Sequence, residues 1–328
     1  MSENNSEGEK LEFELTIGLK KIAGISTNSR IFRAIDALLG NTISIGSNFV
    51  GGISERVKIR DEKRAELIKN AGELAAKNNS EVISNLAQAM AEKHAEKELN
   101  ALENKVNIAL LTTRKLEGHR ISEEDESLDD FDEWMNKFEE LSSHAKSERL
   151  QNIWASILSE KIRKNQSFSL STLHVVSILD KKTAVLFQDF YNNSVNGKMA
   201  KGTISGEEYL NYKLLEENGL IHGLAGNSIM QFDTDIEGNF YFIAGSYAIH
   251  GHGTPQQQLH CSALALTRAG EEIGNILPAP QNTISGLRKI TETIRPKGLL
   301  KRVDLVQVLS PPTTCGTYSF KVFETIDF

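Results

Sequence analysis

Cysteine is scarce in this sequence, with Cys261 and Cys315 as the two among 328 residues. Two thiols cannot build the disulfide framework on which small secreted domains depend, and such sparing use favours a reducing compartment. The first 20 residues also lack the basic start and the apolar run of a signal peptide. These absences predict a cytoplasmic protein.

Long apolar runs are absent as well. No stretch offers the ~18 consecutive apolar residues that a helix needs to cross a bilayer, so no helix is expected to span a membrane, and a membrane is not the expected partner. The net charge is −7, with 39% hydrophobic and 25% charged residues, which is the balance of an ordinary globular protein with a sizeable core. Because the chain is acidic, nucleic-acid binding would require a local basic patch.

Catalytic motifs are missing too. The glycine-rich segment 40–52 lacks the Lys-Ser/Thr pair of a phosphate-binding loop, and no dinucleotide fingerprint opens a βα unit. No Gly-x-Ser-x-Gly elbow and no His-Glu-x-x-His helix is present. Enzymatic activity is therefore unsupported, and no cofactor or small-molecule substrate is predicted. We expect the protein to act through contacts with a protein partner or with a second copy of itself.

The chain divides by its sequence pattern into four parts, and the expected fold class is mainly α with an α+β winged-helix-like C-terminal domain. The parts are a disordered or loosely ordered tail (1–28), a helical N-terminal region with a Gly-rich segment and a long helical arm (29–118), a three-helix core (119–195), and a winged-helix-like α+β domain with C-terminal strands (196–328).

The N-terminal region has two interpretations over residues 31–53. A helix near 29–39 followed by a small-residue segment could lie on a membrane surface or form a pore. The alternative is a helix–turn–helix packed on its own domain, which is favoured because Asp36, Asn41 and Asn48 interrupt the apolar face. The next stretch, 54–118, contains no proline and predicts a helical hairpin or coiled-coil arm with a break near Ser80.

The three-helix core shows the clearest periodicity. Apolar side chains recur at helical spacing, and Asp180 can cap a third helix with an aromatic-rich inner face. The positions are Leu150, Ile153, Trp154, Ile157, Leu158 and Ile162, then Leu170, Leu173, Val176 and Leu179, then Ala184, Phe187, Phe190 and Tyr191. Three short helices of this kind predict a compact bundle.

The C-terminal part alternates between helix and strand signals. Asn218-Gly219 is typical of a left-handed helix end, and Thr267 can cap a final helix. The extended runs SIMQFDTDI, NFYFIAGSYAIHG and LHCSALALT between them predict strands, as do RVDLVQVLS and TYSFKVFETIDF near the end. The order helix, strands, helix favours a winged-helix-like module.

One group of residues has the chemistry of metal ligands: His250, His252, His260 and Cys261. Neutral imidazoles and a thiolate suit zinc, and His250 and His252 would share one face of a strand. The spacing matches no standard site, and Gly251 and Gly253 suggest a loop tip. The sequence therefore predicts no metal centre, with these four residues as the candidates if there is one.

A basic concentration follows, formed by Arg288, Lys289, Arg295, Lys297, Lys301 and Arg302. Beside a winged-helix-like module these side chains could meet phosphates, which makes a nucleic-acid-binding regulatory protein the alternative function. A solvated basic face that complements the acidic block at 123–133 explains the same pattern.

Three motifs in residues 148–187 carry a family resemblance. They are a Trp-Ala-x-Ile-Leu helix at 154–158, a Ser-Phe-Ser-Leu-x-Thr-Leu turn and helix at 167–173, and a helix with Ala184 and Phe187. Together they resemble a bacterial family that is defined as a domain of unknown function. The motifs contain no catalytic residue.

A downstream pattern, Gly219–Ile221 followed by Leu266–Ile273, is similar to the same family, so the resemblance covers roughly residues 125–275. The helix-turn-helix pattern is also similar, more distantly, to the abortive infection alpha proteins. That similarity implies a role in defence against phage. We therefore expect a non-enzymatic interaction or sensor protein, with a membrane-acting effector as a further alternative.

Overall fold

The computed structural model describes residues 30–39, 69, 81–119, 128–164, 167–204, 206–226, 228–310 and 319–328. The chain divides into two units between Ser177 and Ile178. The boundary lies inside the region that the sequence predicts as one three-helix core, because the third of those helices belongs to the C-terminal unit.

All regular elements that the structure describes in the N-terminal unit are helices. Its helices are α1 (Arg30–Leu39), α2 (Glu81–Leu116), α3 (Leu128–Ser142), α4 (Glu148–Arg163) and α5 (Leu170–Ile178). The helix expected near 29–39 is confirmed by α1. The Gly-rich segment 40–52 and the expected cap at Ser80 lie outside the described residues.

Aromatic side chains form the centre of this unit. On α3, the ring of Trp134 stacks against that of Phe138, with 5.1 Å between the ring centroids. Phe138 in turn meets Trp154 of α4 edge-on at 5.3 Å. All three side chains are buried, so the apolar stripe that the sequence shows on α4 is the face that packs in the core.

A buried amide pair fixes α2 against the turn between α3 and α4. Gln151 donates from Nε2 to Asn104 Oδ1 at 3.0 Å and to the carbonyl of Ala145 at 3.0 Å. Asn104 donates to the carbonyl of Ser143 at 2.8 Å. Without these bonds the amide and carbonyl groups would be buried without partners, and each such group would destabilise the folded state by about 1–3 kcal/mol.

No helix among the described residues combines the length and the apolar character needed to span a membrane.

The C-terminal unit is α+β, which confirms the mixed character expected for this part. Its elements are α6 (Lys181–Asn193), β1 (Lys198–Ala200), α7 (Gly206–Glu217), β2 (Ile221–His222), β3 (Ile229–Asp233), β4 (Asn239–Ala244), β5 (Tyr247–Gly253), β6 (Gln258–Leu266), α8 (Arg268–Gly274), α9 (Thr283–Thr293), a 3₁₀ turn (Lys297–Leu299), β7 (Leu300–Ser310) and β8 (Ser319–Asp327).

The helix ends follow local chemistry that is visible in the sequence. Asp180 accepts from the backbone N–H of Thr183 at 2.7 Å to cap α6, and Thr267 accepts from that of Gly270 at 3.1 Å to cap α8. Gly219 has a φ of 70° and ends α7 in the left-handed conformation. The three predicted helix ends are therefore confirmed.

Two antiparallel sheets complete the unit. In the first, β6 pairs with β1, β2 and β3, and in the second the strand order is β4-β5-β7-β8. The run NFYFIAGSYAIHG forms β4 and β5, because Gly245, at a φ of 59°, turns the chain between them. The expected winged-helix arrangement is not confirmed, since β4 and β5 join the C-terminal strands in a sheet of their own.

Helix α9 covers one face of the second sheet. Leu287 and Ile290 of α9 are fully buried against Ile249 of β5 and against Val303 and Leu305 of β7. These inward side chains alternate along each strand with residues on the opposite face. The opposite face is where the polar cluster described below lies.

Gly270 allows α8 to pack closely against the backbone at Leu220, next to β2. A Cβ atom at this position would lie 2.1 Å from the backbone carbonyl oxygen of Leu220. We expect Gly270→Ala to lower the free energy of unfolding by about 1–3 kcal/mol in urea denaturation, since backbone must move. Gly298→Ala is the matched control, because nothing lies within 4 Å of its added Cβ. Equal effects of the two substitutions would contradict the packing described here.

Candidate metal centre

The structure separates the four residues that the sequence marks as metal candidates. His250 and His252 lie on β5, whereas His260 and Cys261 lie on β6 in the other sheet. His260 is exposed. Cys261 is fully buried, and its Sγ lies 2.9 Å from Thr293 Oγ1. Only the first two candidates come together.

The glycines beside the histidines are part of the strand, so the expectation of a loop tip at Gly251 and Gly253 is wrong. A Cβ on Gly251 would lie 1.8 Å from the ring of Phe240, and one on Gly253 would lie 2.4 Å from the carbonyl oxygen of Leu299. Both glycines therefore face the core, where there is no room for a side chain. The period-two alternation then places both histidines on the opposite face.

A carboxylate that the sequence analysis missed lies directly across from the histidines. In the antiparallel pairing of β5 with β7, His250 is opposite Asp304 and His252 is opposite Arg302. One ligand atom from each of His250, His252 and Asp304 can be chosen so that all three lie within 4.8 Å of one another. We call these three residues the histidine–aspartate cluster.

His252 is held on both sides by oxygen atoms. Its Nδ1 lies 2.9 Å from Asn239 Oδ1 on β4, and its Nε2 lies 3.2 Å from Asp304 Oδ2. The second distance is close to the ~3.3 Å that separates two ligand atoms around a tetrahedral ion with bonds of ~2.0 Å. The ring is therefore already oriented with Nε2 toward the carboxylate.

Asp304 is almost completely buried, at 1% exposure. Burial alone would raise the pKa of its carboxyl, but hydrogen bonds from Arg302, Thr325 and His252 outweigh it and hold that pKa below its ordinary value. The bond from Thr325 Oγ1 is 2.7 Å long. The carboxylate is consequently ionised at neutral pH, as a metal ligand must be.

His250 lies between two aromatic rings. It stacks on Tyr241 with 4.3 Å between centroids and meets Phe320 edge-on at 5.2 Å. The residue is 9% exposed, and its Nε2 is buried without a hydrogen-bond partner among the residues that the structure describes. Burial, followed by the nearby His252, lowers the pKa of His250 from 6.5 to about 4. The imidazole is therefore neutral at pH 7 and can offer a lone pair.

Two imidazoles and one carboxylate are a ligand set for divalent first-row ions such as zinc, iron or manganese. Three protein ligands leave further coordination positions for water or for another molecule. The cluster therefore has the ligand types of an open metal centre, with an ionised carboxylate at Asp304 and a neutral imidazole at His250.

A cleft of about 470 Å³ lies elsewhere in the same unit, between α6, α7 and α9. Its polar groups contact one another: Tyr212 donates to Glu208 at 2.9 Å, and Lys289 lies 3.9 Å from the same carboxylate. This internal pairing contrasts with the unpartnered Nε2 of His250. The histidine–aspartate cluster is for that reason the stronger candidate.

The basic residues predicted to meet phosphates are distributed over α9, the following segment and β7. Arg288 pairs with Glu324 at 2.7 Å, and Arg302 pairs with Asp304. Arg295 donates to the backbone carbonyls of Glu292 and Ile294. Lys289 approaches Glu208, and Lys297 lies over the ring of Phe328. The remaining basic residue, Lys301, lies on β7. Nucleic-acid binding by these residues stays a prediction.

Residues 97–205 match the sequence model of a family described as "Protein of unknown function (DUF2806)". This range includes the three motifs on which the resemblance to a domain of unknown function rests, and it is less than half of the chain. No curated protein and no solved structure matches the chain. The histidine–aspartate cluster lies outside the matched range.

The low pKa of His250 predicts that acid destabilises the protein. Between its unfolded pKa of 6.5 and its folded pKa of about 4, the unfolded chain binds more protons, so the free energy of unfolding falls as the pH falls through this window. We expect His250 to account for a loss of about 3 kcal/mol, measured by urea denaturation in metal-free buffer.

The variant His250→Phe keeps an aromatic ring but cannot bind a proton. Between pH 6.5 and pH 4, its free energy of unfolding should fall by about 3 kcal/mol less than that of the wild type. His260→Ala removes an exposed histidine on β6 and should keep the wild-type dependence. Identical slopes for the wild type and His250→Phe would contradict the assignment of this loss to His250.

Proposed function

We propose that this protein is a non-enzymatic sensor whose C-terminal unit binds a divalent transition-metal ion at the histidine–aspartate cluster. The observation that carries the proposal is the buried Nε2 of His250, which has no partner within the described part of the chain and belongs to a ring that approaches His252 and Asp304. A buried nitrogen without a hydrogen bond destabilises the folded state by about 1–3 kcal/mol. Coordination of a metal ion would remove that penalty.

The surroundings of the three ligands support metal binding. His252 is oriented by Asn239, and Asp304 by Thr325, so two of the three ligands already have partners that hold their side chains. Such outer contacts fix the orientation of the ligands before the ion arrives. Tyr241 and Phe320 cover His250 and exclude water from that side.

The open coordination positions connect the metal to the expected interaction role. An ion held by three protein ligands can accept a fourth from a second molecule, including a side chain of a protein partner. Occupancy of the cluster would then decide whether the partner binds. The protein would thereby sense the ion.

Metal binding is tested with untagged protein that has been treated with a chelator and then titrated with Zn²⁺. We expect saturable binding by calorimetry and a rise in the thermal midpoint, equivalent to about 2.7 kcal/mol when the free ion reaches 100 times its dissociation constant. His250→Phe and His252→Phe should each remove most of this stabilisation, because each removes one of the three ligands.

His260→Ala is the matched control, since it removes an exposed histidine from the neighbouring sheet and should bind Zn²⁺ as the wild type does. If His260→Ala and His250→Phe lose Zn²⁺ to the same extent, the bound ion is not at the cluster. If the wild type shows no saturable binding of Zn²⁺, Co²⁺ or Mn²⁺, the metal proposal is wrong.

A role in phage defence is the biological setting that we propose for this sensor. Its support is the helix-turn-helix pattern of the sequence, which is distantly similar to the abortive infection alpha proteins. Plaque counts on bacteria with and without the gene test this role. We expect fewer plaques with the wild-type gene and a return toward the gene-free count with His250→Phe at equal protein abundance.

Equal plating with and without the gene across a diverse phage panel would count against the defence role and leave the metal site untouched. Nucleic-acid binding through the basic residues at 288–302 is the alternative function. A salt-dependent gel shift at low ionic strength would reveal it.

A further inference from the structure

Arg302 occupies the carboxylate that a metal ion would need. Its Nε lies 3.0 Å from each oxygen of Asp304, and its Nη2 forms a further short bond to Oδ2. Both residues lie on β7 with one residue between them, so their side chains share a face of the sheet. The cationic group of Arg302 and the two histidines therefore meet at the same acceptor.

The two members of this ion pair differ sharply in their freedom to move. The side chain of Asp304 is 1% exposed, whereas that of Arg302 is 50% exposed. A half-exposed guanidinium on a long, flexible side chain can turn into solvent without disturbing the sheet. The buried carboxylate has no such freedom, so whichever cation binds must come to it.

Asp304 Oδ2 cannot serve both cations well. That oxygen already accepts from Arg302 and lies 3.2 Å from His252 Nε2. A divalent ion bound between His252 and this oxygen would repel the guanidinium at short range, in a setting where burial weakens solvent screening. Metal and Arg302 are therefore alternative occupants of one carboxylate.

We propose that Arg302 is the internal competitor of the metal ion, and that metal binding releases its guanidinium to form an oxyanion-binding site beside the ion. This inference rests on the proposed metal function. In the metal-free protein, Arg302 neutralises Asp304. In the loaded protein, the open coordination position of the ion and the freed guanidinium face the same space, and together they suit a phosphate group.

A phosphate fits this pair better than a neutral ligand does. The ion supplies a point charge for one oxygen, while the planar guanidinium can donate two parallel hydrogen bonds to two others. Neither group is available in the metal-free state, because one is absent and the other is bound to Asp304. Phosphate binding should therefore require the metal.

The first arm of the test compares the Zn²⁺ affinity of the wild type with that of Arg302→Gln. The substitution removes the competitor and leaves all three ligands, so we expect the affinity to rise about tenfold. Arg288→Gln is the matched control: its side chain is also 50% exposed and ion-paired, but with Glu324, away from the cluster. It should leave the Zn²⁺ affinity unchanged.

The second arm measures the binding of phenyl phosphate by calorimetry. We expect binding by the Zn²⁺-loaded wild type and by loaded Arg288→Gln, binding at least about tenfold weaker by loaded Arg302→Gln, and none by the metal-free wild type. Modification of Arg302 by phenylglyoxal, located by mass spectrometry, should increase when Zn²⁺ is added, because the guanidinium leaves Asp304.

The outcomes separate this inference from the proposed function. If the wild type binds Zn²⁺ but Arg302→Gln binds it equally or more weakly, the competition is wrong while the metal site stands. If phenyl phosphate binds equally to loaded wild type and loaded Arg302→Gln, the oxyanion site is wrong. If neither wild type nor Arg302→Gln binds Zn²⁺, both proposals are overturned.

Discussion

Antiparallel pairing of β5 with β7 is the constraint on which the C-terminal unit and its candidate site depend. The register sets His250 opposite Asp304 and Ile249 opposite Leu305. Since successive residues of a strand point to opposite faces, a slip of one residue would bury the imidazoles and expose the aliphatic side chains. The close approach of the Phe240 ring to Gly251 opposes such a slip, because any side chain brought to that position would meet the ring.

The same pairing buries two polar side chains, Asp304 and His250, and among the described residues only the first has hydrogen-bond partners for all of its buried side-chain atoms. Asp304 is buried in the sheet and is stabilised by Arg302, Thr325 and His252. His250 is buried beside it and receives no comparable compensation at Nε2 from the part of the chain that the structure describes. A phenylalanine of similar size would fill the space between Tyr241 and Phe320 without that unfavourable burial. The histidine at this position is therefore the observation that supports the proposed role as a metal ligand.

Local features of the fold could be predicted from the sequence, and long-range ones could not. The caps at Asp180 and Thr267 and the helix end at Gly219 depend on residues within a few positions, and each was confirmed. The apolar stripe that includes Trp154 likewise follows from helical spacing. The expected winged helix is not confirmed. Strand β5 pairs with a strand about 50 residues further along the chain, and no local pattern encodes that choice of partner.

The residues of the candidate site likewise differ in whether the sequence alone could bring them together. His250 and His252 could be placed on one strand face from their spacing alone, whereas Asp304 could be recognised only after its strand had been assigned a neighbour. One sequence signal was present: an acidic residue between Val303 and Leu305, in a run whose alternation of apolar and polar residues predicts a half-buried strand. His260 and Cys261, adjacent in sequence to a second apolar strand, were placed with the histidines by proximity along the chain and lie in a different sheet.

The alternation of histidine and glycine along β5 has a consequence for relatives of this protein. An added side chain at Gly251 would meet the Phe240 ring and one at Gly253 the Leu299 carbonyl, whereas His250 and His252 lie on the opposite face of the strand. The two residue types are therefore free to evolve separately. We expect a homologue that retains the glycines but replaces the histidines to keep the fold and to lack the proposed metal site. Conservation of the glycines would then indicate a shared fold, and conservation of the histidines a shared function.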